Sequence, residues 1–539
     1  AHSDIDKIKA ILSSQEYKDH PELFTSQTLA HSDIDKIKAI LSSQEYKDHP
    51  ELFTSQTLAH SDIDKIKAIL SSQEYKQKEQ QLLSKYLDSG RSEFIAIYGR
   101  RRVGKTFLVR KMLGKDFCFK MTGMENVNQQ EQLTNFYMAL SKVYPFAGQC
   151  RNWLEAFDQL ERYLESITTK IKTIFIDELP WFDTAKSDFV NALEHFWNDW
   201  ASARQDIKLI TCGSAASWML DNLINNHGGL HNRVTHQMLI EPFSLGECKQ
   251  YFDAYEFGYN EREIAESYMV FGGVPYYLSL MNKEESVAQN IDRLLFSATG
   301  ELRFEKDNLF RSLFKHSEDY VRIIEALSSK GKGLTRNELI EETRMHNNAR
   351  FSKMMQELEN CRFIRQYQPF DKKARMVTYQ LVDPFVHFCY QVQEKCNFQD
   401  ENYWSHSINT PVYNAWCGFA FEMLCLNHIQ KIKEALKIGG VQTSVYCWRT
   451  PPSVENGCQI DLLIDRADHC VNLCEMKFYR GEYAMTKSER EKIENRVDNF
   501  INHSKTKKSV RVTLITSFGC QNNVNSGIVQ NHIRLSDLF

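Results

Sequence analysis

The feature that most constrains this chain is a short apolar run, Phe94-Ile-Ala-Ile-Tyr98, that leads directly into Gly99-Arg100-Arg101-Arg102-Val103-Gly104-Lys105-Thr106. The run reads as a buried strand, and the residues after it satisfy Gly-x4-Gly-Lys-Thr in full. That spacing has a physical cause: glycines let backbone N–H groups curl around phosphate oxygens, and the helix that follows presents its positive N-terminus to them. The loop from Gly99 to Thr106, with Phe107 behind it, is therefore the expected cradle for a nucleotide's phosphates. Lys105 is placed to reach the β- and γ-phosphates, and the Thr106 hydroxyl to bind Mg²⁺.

A phosphate loop needs a partner carboxylate. Thr173-Ile-Phe-Ile-Asp177-Glu178 supplies one at the tip of a second apolar strand. Asp177 is expected to hold Mg²⁺, and Glu178 to orient or deprotonate the attacking water. A third run, Ile207-Lys-Leu-Ile-Thr-Cys212, ends in Gly213-Ser214. Ser214 has two readings, a sensor of the γ-phosphate or the N-cap of the next helix. Strands alternating with helices predict an α/β fold with a parallel sheet covered on both faces. The most economical function is ATP hydrolysis, with ATP and Mg²⁺ as cofactors.

At 539 residues the chain predicts three or four domains. With 66 Lys/Arg against 70 Asp/Glu it carries −4, which excludes a uniformly basic nucleic-acid coat. The imbalance is local: residues 1–76 hold 9 basic and 13 acidic side chains, and the rest of the chain holds 57 of each. The fourteen cysteines form no CxxC pair and no zinc-like spacing, so reduced structural thiols are expected. No apolar run is long enough to span a bilayer, and no signal segment is visible. The expected location is the cytoplasm.

Residues 1–29 recur unchanged at 30–58, and their first eighteen recur at 59–76. Each copy begins with Ser3 as N-cap and Asp6 as its capping partner, then Ile5, Ile8, Ile11 and Leu12 on one helical face, stopped by His20-Pro21. Such a short helix is marginal alone. Two readings stay open: a duplicated, partly ordered extension, or a multivalent arm for a repeated protein partner.

The sequence resembles the archaeal-type ATPase family, a branch of the P-loop NTPases close to the AAA+ and STAND groups. The resemblance rests on GRRRVGKT at 99–106, IFIDELPWF at 174–182, CGSAASWM at 212–219, Pro242-Phe-Ser-Leu-Gly-Glu247 and Gly272-Gly-Val-Pro275. It implies an ATPase core over 77–245 and a helical lid over 246–315. By the same likeness Arg233 is a candidate γ-phosphate-contacting arginine, although Asn232 stands where the family often has glycine. Gly272 and Gly273 are either a hinge of the lid or a simple turn. Homo-oligomerisation is compatible with this likeness.

Residues 316–385 read as three helices and a hairpin, with Thr335 and Glu338 forming a capping box for the second helix, a pattern that suggests a winged helix. In a DNA-binding reading, Arg350 and Lys353 on the third helix and Lys372, Lys373 and Arg375 in the wing meet phosphates. In the alternative the module packs domains together.

From 411 the chain restarts with an amphipathic helix around Glu422, then Gln459-Ile-Asp461-Leu-Leu-Ile-Asp465, a turn, and Val471-Asn-Leu-Cys-Glu475-Met-Lys477. Glu475 and Lys477 share a strand face, with Asp461 across the hairpin. Two carboxylates on one Mg²⁺ with a nearby lysine suit phosphodiester hydrolysis. The arrangement resembles the PD-(D/E)XK nuclease superfamily, which implies catalytic Asp461, Glu475 and Lys477, and metal ligation by Asp461 and Glu475, with Glu422 as a further ligand. Residues 411–539 hold 16 basic and 13 acidic side chains, compatible with a DNA partner, with RNA equally open. The expectation is a Mg²⁺-dependent ATPase coupled to a nuclease-like domain. The alternative is a nucleotide-gated switch or scaffold whose C-terminal domain binds nucleic acid or protein without cutting.

Overall fold

A computed structural model of the chain describes residues 76–114, 116–184, 187–225, 232–314, 316–329, 333–370, 377–396, 399–450 and 457–539. The repeats up to residue 75, with their expected helices, and the wing residues Lys372, Lys373 and Arg375 lie outside the described residues. The chain divides into two compact units, one of residues 1–77 with 250–258, the other of 78–249 with 259–539. The second contains every element below.

Five parallel strands form the first sheet: β1 (Glu93–Tyr98), β2 (Phe119–Thr122), β3 (Lys172–Asp177), β4 (Ile207–Gly213) and β5 (His236–Leu239). Their order is β2-β3-β4-β1-β5, so β4 lies between the strand before the phosphate loop and the strand ending in Asp177. Phe94, Ile95, Ala96 and Ile97 of β1 have no exposed surface, nor have Leu209 and Ile210 of β4. Central parallel strands covered on both faces require such continuous apolar runs.

Helix α1 (Lys105–Leu113) leaves the loop after β1. On one face of the sheet, α2 (Gln129–Ser141) and α3 (Trp153–Ser166) are started by Asn128 and Asn152, whose side chains accept from the backbone N–H of Glu131 and Glu155. Trp153 of α3 anchors an aromatic core, with ring centroids 4.9 Å from Phe189 and 5.6 Å from Phe182. Rings this large bury enough apolar surface to dominate core energetics.

Helix α4 (Glu261–Phe271) ends at Gly272, and Gly272 and Gly273 both have φ +65. A Cβ on Gly273 would lie 2.2 Å from the Phe243 carbonyl oxygen, and the Phe243 N–H donates to the Gly273 carbonyl at 2.7 Å. The pair is a pinned left-handed turn, which favours the turn reading over a hinge.

Helices α5 (Glu305–Leu313), α6 (Ser317–Ser329), α7 (Arg336–Thr343) and α8 (Ala349–Asn360) follow. The Thr335–Glu338 capping box forms as expected. Short antiparallel strands β6 (Leu334–Thr335), β7 (Ile364–Tyr367) and β8 (Thr378–Leu381) pair in the order β6-β8-β7. Phe370, just after β7, packs at 5.4 Å on Tyr446 of the next sheet and at 5.0 Å on Phe500 of the helix that covers that sheet.

Helices α9 (Pro384–Gln391) and α10 (Pro411–Asn427) lead to the second large sheet. It comprises β9 (Thr443–Arg449), β10 (Gln459–Arg466), β11 (Cys470–Lys477), β12 (Ser509–Thr516) and β13 (Asn531–Arg534), side by side in reverse order. The first three run antiparallel, and β11, β12 and β13 run parallel, with α11 (Lys487–Ser504) as the crossover between β11 and β12. None of the fourteen cysteines is in a disulfide. Among the described residues no helix is long and apolar enough to cross a membrane.

Candidate active site

The strand order of the first sheet assembles the site. β1, β4 and β3 are neighbours, so the phosphate loop, Ser214 and the Asp177-Glu178 pair emerge side by side at their carboxyl ends, where ligands bind in open α/β sheets. Gly99 has φ +147, and a Cβ there would lie 2.2 Å from the Ile240 carbonyl oxygen. Gly104, with φ +88, turns the chain into α1. Both positions therefore need glycine.

Lys105 is buried, and its ammonium fills all three donor positions: Gly99 O at 2.9 Å, Arg100 O at 2.9 Å and Ser214 Oγ at 3.0 Å. Burial pushes its pKa below the ordinary lysine value, against the opposing pull of Glu178. The Thr106 hydroxyl donates to Asp177, with oxygen separations of 2.9 and 3.1 Å. Burial pushes the Asp177 pKa above the ordinary carboxylate value, and the Thr106 hydrogen bond opposes the shift. Ser214 donates to both carboxylate oxygens of Glu178, through Oγ to Oε1 at 2.6 Å and through its backbone N–H to Oε2 at 3.0 Å. Ser214 thus links Lys105 to Glu178. The helix Ala216–Trp218 has Ala215 at its N-cap, so the capping reading of Ser214 does not hold. Glu178 sits at φ +49, an uncommon conformation for a non-glycine residue that fixes where its carboxylate points.

Other expected members fall elsewhere. The guanidinium groups of Arg100 and Arg102 turn away from the cradle to pair with Asp383 and Glu305. These two arginines contribute backbone to the loop, not side-chain phosphate ligands. Arg101 and Val103 belong to the same turn, and Phe107 is partly exposed on α1. Arg233 is exposed just before the edge strand β5 and is not among the groups gathered around Lys105. Arg350 pairs with Asp319 at 2.5 Å, and Lys353 lies 3.9 Å from Glu357. Both line a cleft of about 800 Å³ that also touches Trp181 and Trp218.

At the C-terminal sheet, Leu462 pairs with Cys474, which brings Asp461 on β10 opposite Glu475 on β11. Asp461 accepts from Gln459 Nε2 at 2.8 Å. Glu475 is ion-paired with Arg496 of α11, and Lys477 Nζ lies 3.8 Å from its other oxygen. Glu422 projects from α10, and its pKa is pushed up to about 8 by burial, then by the charges of Asp461 and Glu475. These carboxylates feel one another, yet among the described residues no three His, Cys, Asp or Glu side chains make a metal-holding group. The charges of Asp461 and Glu475 both act on Glu422, and Arg496 holds one oxygen of Glu475. Sequence reasoning missed Arg496, which lies 21 residues beyond Glu475 on another element.

Residues 76–281 match the family described as an ATPase domain predominantly from Archaea. This segment is similar to archaeal-type ATPase domains. A protein of Methanocaldococcus jannaschii, itself uncharacterized, is 26% identical over 375 residues, covering 67% of this chain and 80% of the relative. Among solved structures, a Walker-type ATPase of Pyrococcus abyssi is 18% identical with a TM-score of 0.42, covering 59% of this chain and 95% of its own. The ORC2 protein of Aeropyrum pernix, solved as ADPNP and ADP complexes, is 13% identical with a TM-score of 0.35, covering 59% and 91%. Cdc6p of Pyrobaculum aerophilum is 15% identical with a TM-score of 0.30, covering 60% and 93%.

Proposed function

We propose that this protein binds and hydrolyses ATP with Mg²⁺, and that the nucleotide acts on a C-terminal nucleic-acid-processing domain of PD-(D/E)XK type. The observation that carries the ATPase reading is the linked set of Lys105, Ser214 and Glu178 beside Thr106 and Asp177. Lys105 exchanges its backbone carbonyls for phosphate oxygens. Glu178 orients the attacking water and accepts its proton, while Ser214 keeps the carboxylate in place. Thr106 and Asp177 form an all-oxygen donor pair suited to a hard cation, and two protein ligands suffice where phosphates complete the shell. Mg²⁺ held there supplies charge neutralisation on the transferring phosphoryl group.

The domain assignments belong to the same proposal: ATPase core over 77–245, helical lid over 246–315, winged helix over 316–385 and nuclease-like domain over 411–539. Three helices with a β6-β8-β7 sheet support the winged helix, and the α10, β9–β11, α11, β12 succession supports the nuclease-like fold. The compensated charges of Arg350 and Lys353 and the seating of Phe370 against the C-terminal sheet favour a packing role for the winged helix. A second reading has a specific observation behind it: Arg496 on Glu475 favours a C-terminal domain that binds without cutting.

The test measures phosphate release and, on labelled single- and double-stranded DNA and RNA, strand cleavage with Mg²⁺ or Mn²⁺. Glu178→Gln is expected to bind ATP and to lose about a hundredfold or more in turnover. Wild-type turnover in that variant would sink the ATPase assignment. Metal-dependent products that vanish in Lys477→Ala select cleavage, whereas salt-sensitive binding without products selects the second reading.

A further inference from the structure

The phosphate loop is held by the rest of the chain through its arginines. Arg100 and Asp383 form an ion pair with side chains only 3% and 2% exposed, and the Arg100 guanidinium lies 5.5 Å from the ring centre of Phe363. The other oxygen of Asp383 accepts the Val386 N–H at 2.9 Å, so one carboxylate both holds the loop and caps α9. Arg102, at φ +71, donates to Glu305 Oε2 at 2.9 Å and stacks 4.0 Å above Tyr276. Tyr277, fully buried, donates its hydroxyl to Glu305 Oε1 at 3.2 Å. Removing either acid would strand a buried or half-buried cation inside the loop, which only a change of loop shape relieves.

The α9 end of this clasp continues to the C-terminal sheet. Phe388 of α9 meets Trp416 of α10 edge-on at 5.3 Å. On α10, Phe421 packs at 5.3 Å on Phe478, which follows Lys477, and its neighbour Glu422 faces the carboxylate cluster. His387, one helical turn beyond Asp383, lines the same small cavity as Glu422. Ring contacts thus join α9 to α10 and α10 to the end of β11, charge joins Glu422 to Asp461 and Glu475, and coupling between distant sites travels through such packed and electrostatic links.

We propose that Glu305 and Asp383 are positioning residues of the phosphate loop, and that Asp383, by sharing its carboxylate between Arg100 and the start of α9, couples occupancy of the loop to the C-terminal carboxylate cluster. The proposal rests on the ATP-binding reading and deepens it. It makes α9 the element whose N-terminus responds to the nucleotide, with α10 relaying the response.

The test uses the full chain with Mg²⁺ and a non-hydrolysable ATP analogue, reading affinity by calorimetry and protection of α9 and α10 by hydrogen exchange. Asp383→Asn is the informative variant, because asparagine caps a helix as well as aspartate and only the charge is lost. It is expected to weaken binding about tenfold and to erase the nucleotide-dependent protection of α9 and α10, while Asp383→Glu restores both. Glu305→Gln is expected to weaken binding yet leave the α9 response in place. Should Asp383→Asn fail to fold, the Glu305→Gln arm still decides whether the clasp positions the loop. Affinity within about twofold of wild type in both variants, or unaltered protection in Asp383→Asn, overturns the proposal. Lys105→Ala separates the two claims: wild-type nucleotide binding in that variant defeats the ATP reading itself, whereas its loss beside an unaffected Asp383→Asn defeats only the clasp.

Discussion

Ser214→Ala separates catalysis from structure at a single oxygen. The Ser214 hydroxyl accepts from Lys105 Nζ at 3.0 Å and donates to Glu178 Oε1 at 2.6 Å. Alanine removes both bonds but keeps the backbone N–H that holds Glu178 Oε2, and Lys105 keeps two carbonyl partners. One hydrogen bond to each charge is therefore lost, and bonds to charged groups are worth roughly 1.5–3 kcal/mol. In the proposed ATP complex Lys105 gives up its carbonyl partners and keeps the Ser214 bond, so losing that bond affects the free and bound states alike and bears little on affinity. The Glu178 bond must persist while water is activated, so its loss falls on the barrier, and kcat should drop about 10- to 150-fold. The KM for ATP should move by less than about threefold, because the phosphate donors are untouched. Ala215, not Ser214, occupies the N-cap of the following helix, so melting should be nearly unchanged. Steady-state phosphate release with a parallel thermal melt reads all three quantities. A kcat within about twofold of wild type together with a stability loss of about 1 kcal/mol is the signature of a lost cap, and would refute the reasoning.

Two further outcomes follow from geometry away from the phosphate loop. Glu422, pushed up to about 8 by burial and the neighbouring carboxylates, holds its proton in the folded chain where the unfolded chain, near 4.5, has released it. The folded state then binds more protons across that window and loses stability as pH rises through it. Glu422→Gln removes this titration, so its melting temperature relative to wild type should climb from about pH 5 to about pH 9, and a constant difference would contradict the assignment. Gly273→Ala forces a Cβ against the Phe243 carbonyl at a positive φ and should cost about 2 kcal/mol or more, whereas a denaturation midpoint equal to wild type would show the turn to be adaptable.

The strand, loop and helix around Lys105 were legible because phosphate binding is imposed on contiguous residues. Asp177 and Glu178 were legible for the same reason, at the end of an apolar run whose burial is complete. The order of the strands was not. That β4 inserts between β1 and β3 is fixed by pairings such as Ala96 with Thr211 and Ile174 with Leu209, among residues far apart in sequence whose apolar character fits several partners equally. Without that order Ser214 could be read as a cap as readily as a bridge. At the C-terminus, Asp461, Glu475 and Lys477 were found because a hairpin has period two. Arg496 was hidden because it reaches Glu475 from a crossover helix, whose register over the sheet leaves no local pattern.

The arginines of the loop make the same distinction with a larger consequence. Three basic residues stand between the loop glycines, and the phosphate motif itself assigns their side chains no partner. The structure gives two of them to acids 203 and 283 residues further along, a glutamate opening α5 and an aspartate capping α9. A carboxylate that caps one helix and pairs with a buried guanidinium has no sequence signature beyond an ordinary Asp-Pro helix start. Its physical weight is nonetheless large, because removing one partner of a buried ion pair typically costs about 3–5 kcal/mol. The segment matching the ATPase domain ends at 281, before either acid. Cut at that boundary, the loop would keep every residue of its phosphate motif and lose both counter-charges of its arginines, so the nucleotide site is a property of the longer chain even though its motif is wholly local.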